Sequence, residues 1–131
     1  MTERTIRSII SHQNIVTLPP ETSVRAATQV MAKHKIGAVP VTETGRLLGI
    51  FTERDLVNRV IALKRDADTT RLREVMTADP TTIDIGDAAS RALELMRDGG
   101  FRHLPVTDAG KLVGIVSLRD IPPEHWFDQG T

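Results

Sequence analysis

Two short runs, Thr52-Glu53-Arg54-Asp55 and Ser117-Leu118-Arg119-Asp120, set a hydroxyl, a cation and a carboxylate in the same order. A hydroxyl that starts a helix, with an acid three residues on, makes a capping arrangement, and that structural role accounts for one copy. It does not require Asp over Glu, nor the preceding Arg, in both copies. The other chemistry is ligand contact. Helix N-terminal N–H groups and the hydroxyl meet an anion, while the carboxylate accepts from a pair of vicinal hydroxyls. A ribose beside a phosphate offers both. Spacing alone leaves capping and ligand contact equally open.

Both runs lie in a duplicated stretch. Gly37 to Leu56, GAVPVTETGRLLGIFTERDL, returns 65 positions later as RHLPVTDAGKLVGIVSLRDI, Arg102 to Ile121, with no gap. Pro40 falls on Pro105, Gly45 on Gly110, Gly49 on Gly114 and Asp55 on Asp120. A repeat that cannot bury its apolar face alone dictates architecture.

The elements that must position these residues follow from periodicity. Ile6, Ile9 and Ile10 predict a short amphipathic helix over 5–11, and Ile15 to Leu18 a strand stopped by Pro19-Pro20. Thr22 or Ser23 caps a helix to about His34, with Val24, Ala27, Val30 and Met31 on one face and Gly37 as its stop. A hairpin joins 38–42 to 47–51 around Gly45, and Thr52 caps a helix carrying Leu56, Val57, Val60, Ile61 and Leu63. The polar run 65–70 is the linker, giving a first repeat over 1–68 and a second over 69–131. In the second, 71–76 forms a helical turn, 81–85 a strand, and Asp87 caps a helix ended by Gly99-Gly100. The hairpin 101–107 with 111–116 follows, then a helix started by Ser117 and cut short by Pro122-Pro123. Each repeat reads β-α-β-β-α, an α+β fold with helices on its sheets.

Composition narrows the function classes. The chain has 131 residues, 40% apolar and 26% charged, ordinary for one globular domain. At this length folding buries roughly 68–70% of the unfolded surface, against about 60% for one repeat alone, so the halves are expected to share one core. Net charge is zero, which recruits neither nucleic acid nor an acidic membrane, and 3% aromatics are too few for base stacking. There is no cysteine, excluding disulfides, iron–sulfur clusters and thiolate zinc sites. No apolar run has signal-peptide or membrane-span length, and the expected location is cytoplasmic.

The duplicated motifs make the chain resemble a tandem pair of CBS (cystathionine-β-synthase) domains. In each copy an apolar strand ends in Pro-Val, at Pro40-Val41 and Pro105-Val106. A glycine turn follows, then Gly-apolar-apolar-Thr/Ser-x-x-Asp over 49–55 and 114–120. Glu74-Val75-Met76-Thr77 is also typical of the start of a second such domain. The resemblance implies two three-stranded sheets packed face to face about a pseudo-twofold axis. It also implies two clefts, each drawing on both repeats, for adenosyl ligands: AMP, ADP, ATP, S-adenosylmethionine or a dinucleotide such as NAD. By position, one cleft would use Asp55 on the ribose with Thr52 and Arg54. Thr82, Ile83 and the backbone at His103, Leu104 and Pro105 would enclose adenine, with Arg102 and His103 toward phosphate. The second would use Asp120, Ser117 and Arg119 with Val16, Thr17, Ala38 and Val39. There Gly37-Ala38 replaces Arg102-His103, so a phosphate loses its cation. The Asp55 cleft ranks first, and Asp55→Ala is expected to weaken nucleotide binding at least about tenfold with little loss of fold.

The resemblance implies a stand-alone regulatory module, homodimeric, acting on a partner protein that the sequence does not name. The alternative is a ligand-independent dimerisation module. No enzyme is expected: there is no G-x-G-x-x-G, Walker loop, G-x-S-x-G or nucleophile beside a base. His12, His34, His103 and His125 have no metal-ligand spacing. Met31, Met76 and Met96 are read as core, and Trp126 and Phe127 as packing on this chain or a partner.

Overall fold

The computed structural model describes residues 4–11 and 13–123. His12, His125, Trp126 and Phe127 lie outside that range. The first part of the chain forms α1 (Ile6–Ile9), α2 (Val24–His34), β1 (Ala38–Glu43), β2 (Arg46–Thr52) and α3 (Glu53–Asp55). A π-helical stretch (Leu56–Ile61) continues α3, followed by α4 (Leu72–Val75) and β3 (Thr77–Ala78). Then come β4 (Ile83–Asp84), α5 (Ala89–Gly99), β5 (His103–Asp108), β6 (Lys111–Ser117) and a 3-10 turn (Leu118–Asp120).

The two hairpins form as their alternation requires. β1 pairs antiparallel with β2, and β5 with β6, each with one irregularity at the equivalent step, Val41/Thr42 and Val106/Thr107. Their turns place two successive residues in the left-handed region, Thr44 and Gly45 (φ 48° and 79°) and Ala109 and Gly110 (φ 51° and 82°). That backbone twist matches paired strands. The third strand of the first sheet is β3, antiparallel to β2, which sequence periodicity did not reveal in a two-residue element. The third strand of the second sheet is β4, parallel to β5.

Several boundaries differ from the periodic reading. The strand expected over 15–18 shrinks to a bridge between Leu18 and Val41. Lys35, not Gly37, ends α2 in the left-handed conformation (φ 55°). Ser23 does cap α2, accepting from the Ala26 N–H at 3.1 Å. Ala88 rather than Asp87 holds the N-cap of α5, because the Asp87 carboxylate instead accepts from the Asp84 N–H at 3.2 Å. Gly100 closes α5 at φ 72° as expected.

The chain divides into two compact units, and they are not successive halves. The central unit is Val16–Pro80, and the split unit joins Met1–Ile15 to Thr81–Thr131. The break expected between 68 and 69 follows the sequence repeat, whereas residues 69–80 pack with the first repeat and α1 with the second. Backbone bonds tie α1 there: Ile6 N–H to Asp87 O, Arg7 N–H to Ile85 O and Ala89 N–H to Arg4 O, all 2.9 Å.

Each unit has its own apolar cluster. In the central unit Val24, Ala27 and Met31 of α2 meet Val39, Val41, Phe51, Val60, Leu72 and Val75. In the split unit Ile6 and Ile10 join Ala89, Ala92, Leu93 and Met96 over Leu104, Val106 and Val116. Met31 and Met96 are core, as read from the sequence. On the π-helical stretch Val60 is buried, while Val57 and Ile61, with Leu63 in the turn after it, are 57%, 61% and 62% exposed.

Candidate functional site

The two hydroxyl-to-carboxylate runs start short helical turns in the same way. In the central unit the Thr52 hydroxyl accepts from the Asp55 N–H (3.1 Å), and Asp55 Oδ2 accepts from the Thr52 N–H (3.0 Å). In the split unit Asp120 Oδ2 accepts from the Ser117 N–H at 2.8 Å. The capping role open in the sequence is therefore filled in both. Each turn is also tied to the segment before the strand proline: Glu53 N–H donates to Gly37 O (3.0 Å), and Leu118 N–H to Arg102 O (2.9 Å).

Beyond the cap the two carboxylates part company. Asp55 is 6% exposed. Its Oδ1 accepts from the Thr77 hydroxyl at 3.3 Å and stands 3.6 Å from Arg59 Nε. Arg59 Nη1 donates in turn to the carbonyls of Met76 (2.9 Å) and Val75 (3.4 Å). This network fastens β3 to the helix and engages both Asp55 oxygens. Asp120 is exposed, and its Oδ1 has no partner among the described residues. A carboxylate in that state can accept a pair of hydroxyls without first giving up a bond.

The remaining residues fall in place unit by unit. In the central unit Ala38 and Val39 are buried in β1, leaving backbone rather than side chain for contact, while Thr17 is exposed and Val16 half-buried. In the split unit Thr82 is exposed just before β4, and Ile83, at 2% exposed, points into the core. Leu104 and Pro105 are buried in β5, His103 is half-buried, and Arg102 is exposed. Arg54 and Arg119 are exposed on their turns. The sequence reading missed Arg59 and Thr77. Arg59 was within reach, since a cation four residues after an acid on a helix forms a pair. Thr77 arrives on β3 and left no signal. Among the described residues no group of three or more His, Asp or Glu side chains could hold a metal ion, and no helix is long and apolar enough to cross a membrane.

The family model described as CBS domain matches residues 6–62 and again 72–121. A CBS domain-containing protein of Bacillus subtilis, YhcV, is 36% identical over 107 residues, 82% of this chain and 76% of the relative. A solved structure from Burkholderia ambifaria, provisionally described as a signal-transduction protein with CBS domains, superposes with a TM-score of 0.88 at 32% identity, covering 98% of both chains. A CBS domain protein from Pyrobaculum aerophilum, solved in complex with AMP, superposes with a TM-score of 0.85 at 25% identity, covering 95% of this chain and 97% of that one.

Proposed function

The chain belongs to the CBS domain family as a tandem pair, and from that premise we propose that it is a regulatory module whose state is set by an adenosyl ligand. AMP, ADP or ATP stand first, with NAD and S-adenosylmethionine as further candidates, and a partner protein receives the signal. The observation that carries this reading is the Asp120 carboxylate, exposed and with one oxygen uncommitted among the described residues, beside a hydroxyl-started turn. The AMP held by the Pyrobaculum relative supports the ligand class.

The sequence ranks the Asp55 cleft first, and the contacts around the two acids support Asp120 as the readier one. Asp120 takes a ribose directly, whereas Asp55 must exchange its Thr77 and Arg59 contacts for the sugar hydroxyls. Micromolar affinity needs roughly −8 kcal/mol, of which a charge-assisted hydrogen bond supplies about 1.5–3. Calorimetric titration of AMP, ATP, NAD and S-adenosylmethionine into wild type, Asp120→Ala and Asp55→Ala tests the proposal. At least one ligand binds wild type, and Asp120→Ala weakens it at least about tenfold. Unchanged affinity in both variants would remove the carboxylates from the site.

The exposed apolar face of Val57, Ile61 and Leu63 favours a second reading, a dimerisation module indifferent to ligand. A homodimer is compatible with both. Native mass spectrometry separates them by asking whether an adenosyl compound co-purifies with the assembled species.

A further inference from the structure

Between the last turns of α5 and the 3-10 turn, the split unit opens a recess of about 550 Å3. Leu93, Met96, Phe101 and Leu118 wall it, and Arg97 and Arg102 line it with them. Its floor is fixed, since Leu93 and Met96 belong to the buried core. One wall is built by a close approach: the Phe101 ring lies against Gly99, where any β-carbon would collide with it. Arg97 reaches Asp98 at 3.4 Å across solvent, a pair worth little. The Arg102 guanidinium has no ion pair among the described residues.

The internal repeat supplies a control for this lining. Stepping back by the repeat length, Met96 corresponds to Met31 and Phe101 to Ile36, so the apolar floor is kept. Leu93 corresponds to Thr28, Arg97 to Ala32, Arg102 to Gly37, Leu118 to Glu53 and Gly100 to Lys35. The central unit thus carries one Lys and one Glu at these positions, which cancel. The split unit carries two Arg and no acid, and exchanges a hydroxyl and a carboxylate for two leucines. Packing of the unit does not ask for this, because the other copy folds with the alternative residues. Widened apolar walls with a net cation are what an amphipathic anion needs.

We propose that this recess binds a small amphipathic carboxylate, its aliphatic or aromatic body against Leu93, Met96, Phe101 and Leu118 and its head group on Arg102 and Arg97. The volume lies within the range of small-molecule pockets, roughly 300–1,000 Å3. The site is distinct from the nucleotide residues in all but Arg102, and the test avoids that residue.

Decanoate is titrated calorimetrically into the full chain and into Leu118→Glu and Arg97→Ala, the residues the central unit uses at those positions. Wild type binds one decanoate per chain. Leu118→Glu weakens it at least about tenfold by setting a like charge in the wall, and Arg97→Ala weakens it severalfold. Both variants keep the wild-type unfolding midpoint, and Arg97→Ala keeps the wild-type AMP response. Undiminished decanoate binding in the two folded variants overturns the proposal, as does absence of binding to wild type. Loss of the AMP response in Arg97→Ala together with loss of decanoate binding overturns it too, by placing the anion in the nucleotide site. Self-association lost in both variants without decanoate binding would give the recess to a second copy, and likewise overturns it.

Discussion

Asp55 and Asp120 occupy one position of one repeat, yet their surroundings divide the labour between them. Each closes a helix start by accepting from the N–H of the residue three before it, Thr52 or Ser117, which any acid at that spacing does. Asp55 goes further, holding Thr77 and Arg59 while almost wholly buried. Removing it leaves the Thr52 N–H without its acceptor and the guanidinium without its counter-charge. Asp55→Ala is therefore expected to cost about 1–3 kcal/mol in urea unfolding, against the small loss of fold expected from sequence. Asp120→Ala, exposed and singly bonded, is expected to unfold with a midpoint shifted by much less. Equal costs would mean that the network around Asp55 adds nothing to the cap. The motif was legible as a motif. Its asymmetry was not, because Thr77 reaches Asp55 from 22 residues away on a strand too short to show a period.

At the scale of elements, the repeat builds its two sheets with different materials. In the central unit β3 lies beside β2, with Ala78 opposite Gly49 and Thr77 opposite Ile50. In the split unit a side chain takes that place. The Gln13 amide donates to Ile115 O at 2.6 Å and accepts from the Ile115 N–H at 2.7 Å, as a strand's backbone would. The β3 backbone comes close enough to demand glycine at 49, whereas at 114 the close atoms are side-chain ends that can shift. A β-carbon on Gly49 would stand 2.6 Å from Thr77 O, and one on Gly114 would stand 2.6 Å from Ile10 Cδ1 and 2.8 Å from Gln13 Oε1. The repeated glycines were visible in the sequence, and the reason for Gly49 becomes visible only with the edge in place. Gln13→Ala deletes two hydrogen bonds and is expected to cost about 1–3 kcal/mol, while Gln13→Glu keeps the acceptor but sets a carboxylate oxygen against Ile115 O with no proton between them, and is expected to cost at least as much. Ala109 offers a converse test. Held at φ 51° in the hairpin turn, it is strained where glycine would not be, so Ala109→Gly is expected to raise stability by up to about 1 kcal/mol. A destabilised Ala109→Gly would show that the turn is not under that strain.

For the whole molecule, the repeat in the sequence and the compact units in space are different partitions, and the N-terminal helix shows why. The spacing of Ile6, Ile9 and Ile10 says that one face of α1 is buried, and says nothing of what buries it. Chain adjacency suggested the first repeat. The backbone of 4–7 instead bonds to 85–89, and Ile6 and Ile10 enter the cluster of Leu104, Val106 and Val116. Elements defined by local periodicity, such as α2, α5 and both hairpins, were therefore readable residue by residue. Attachments made over some 80 residues were not, since no local pattern encodes a distant partner. This assignment has a consequence that chain order would reverse. Ile6 is fully buried, so Ile6→Ala is expected to cost about 2–5 kcal/mol through lost burial and the cavity left behind. Hydrogen exchange read by mass spectrometry locates the cost: protection should fall across 103–108 and 111–117, strands of the split unit, before it falls across 38–43 and 46–52. Loss confined to 38–52 would instead return α1 to the first repeat.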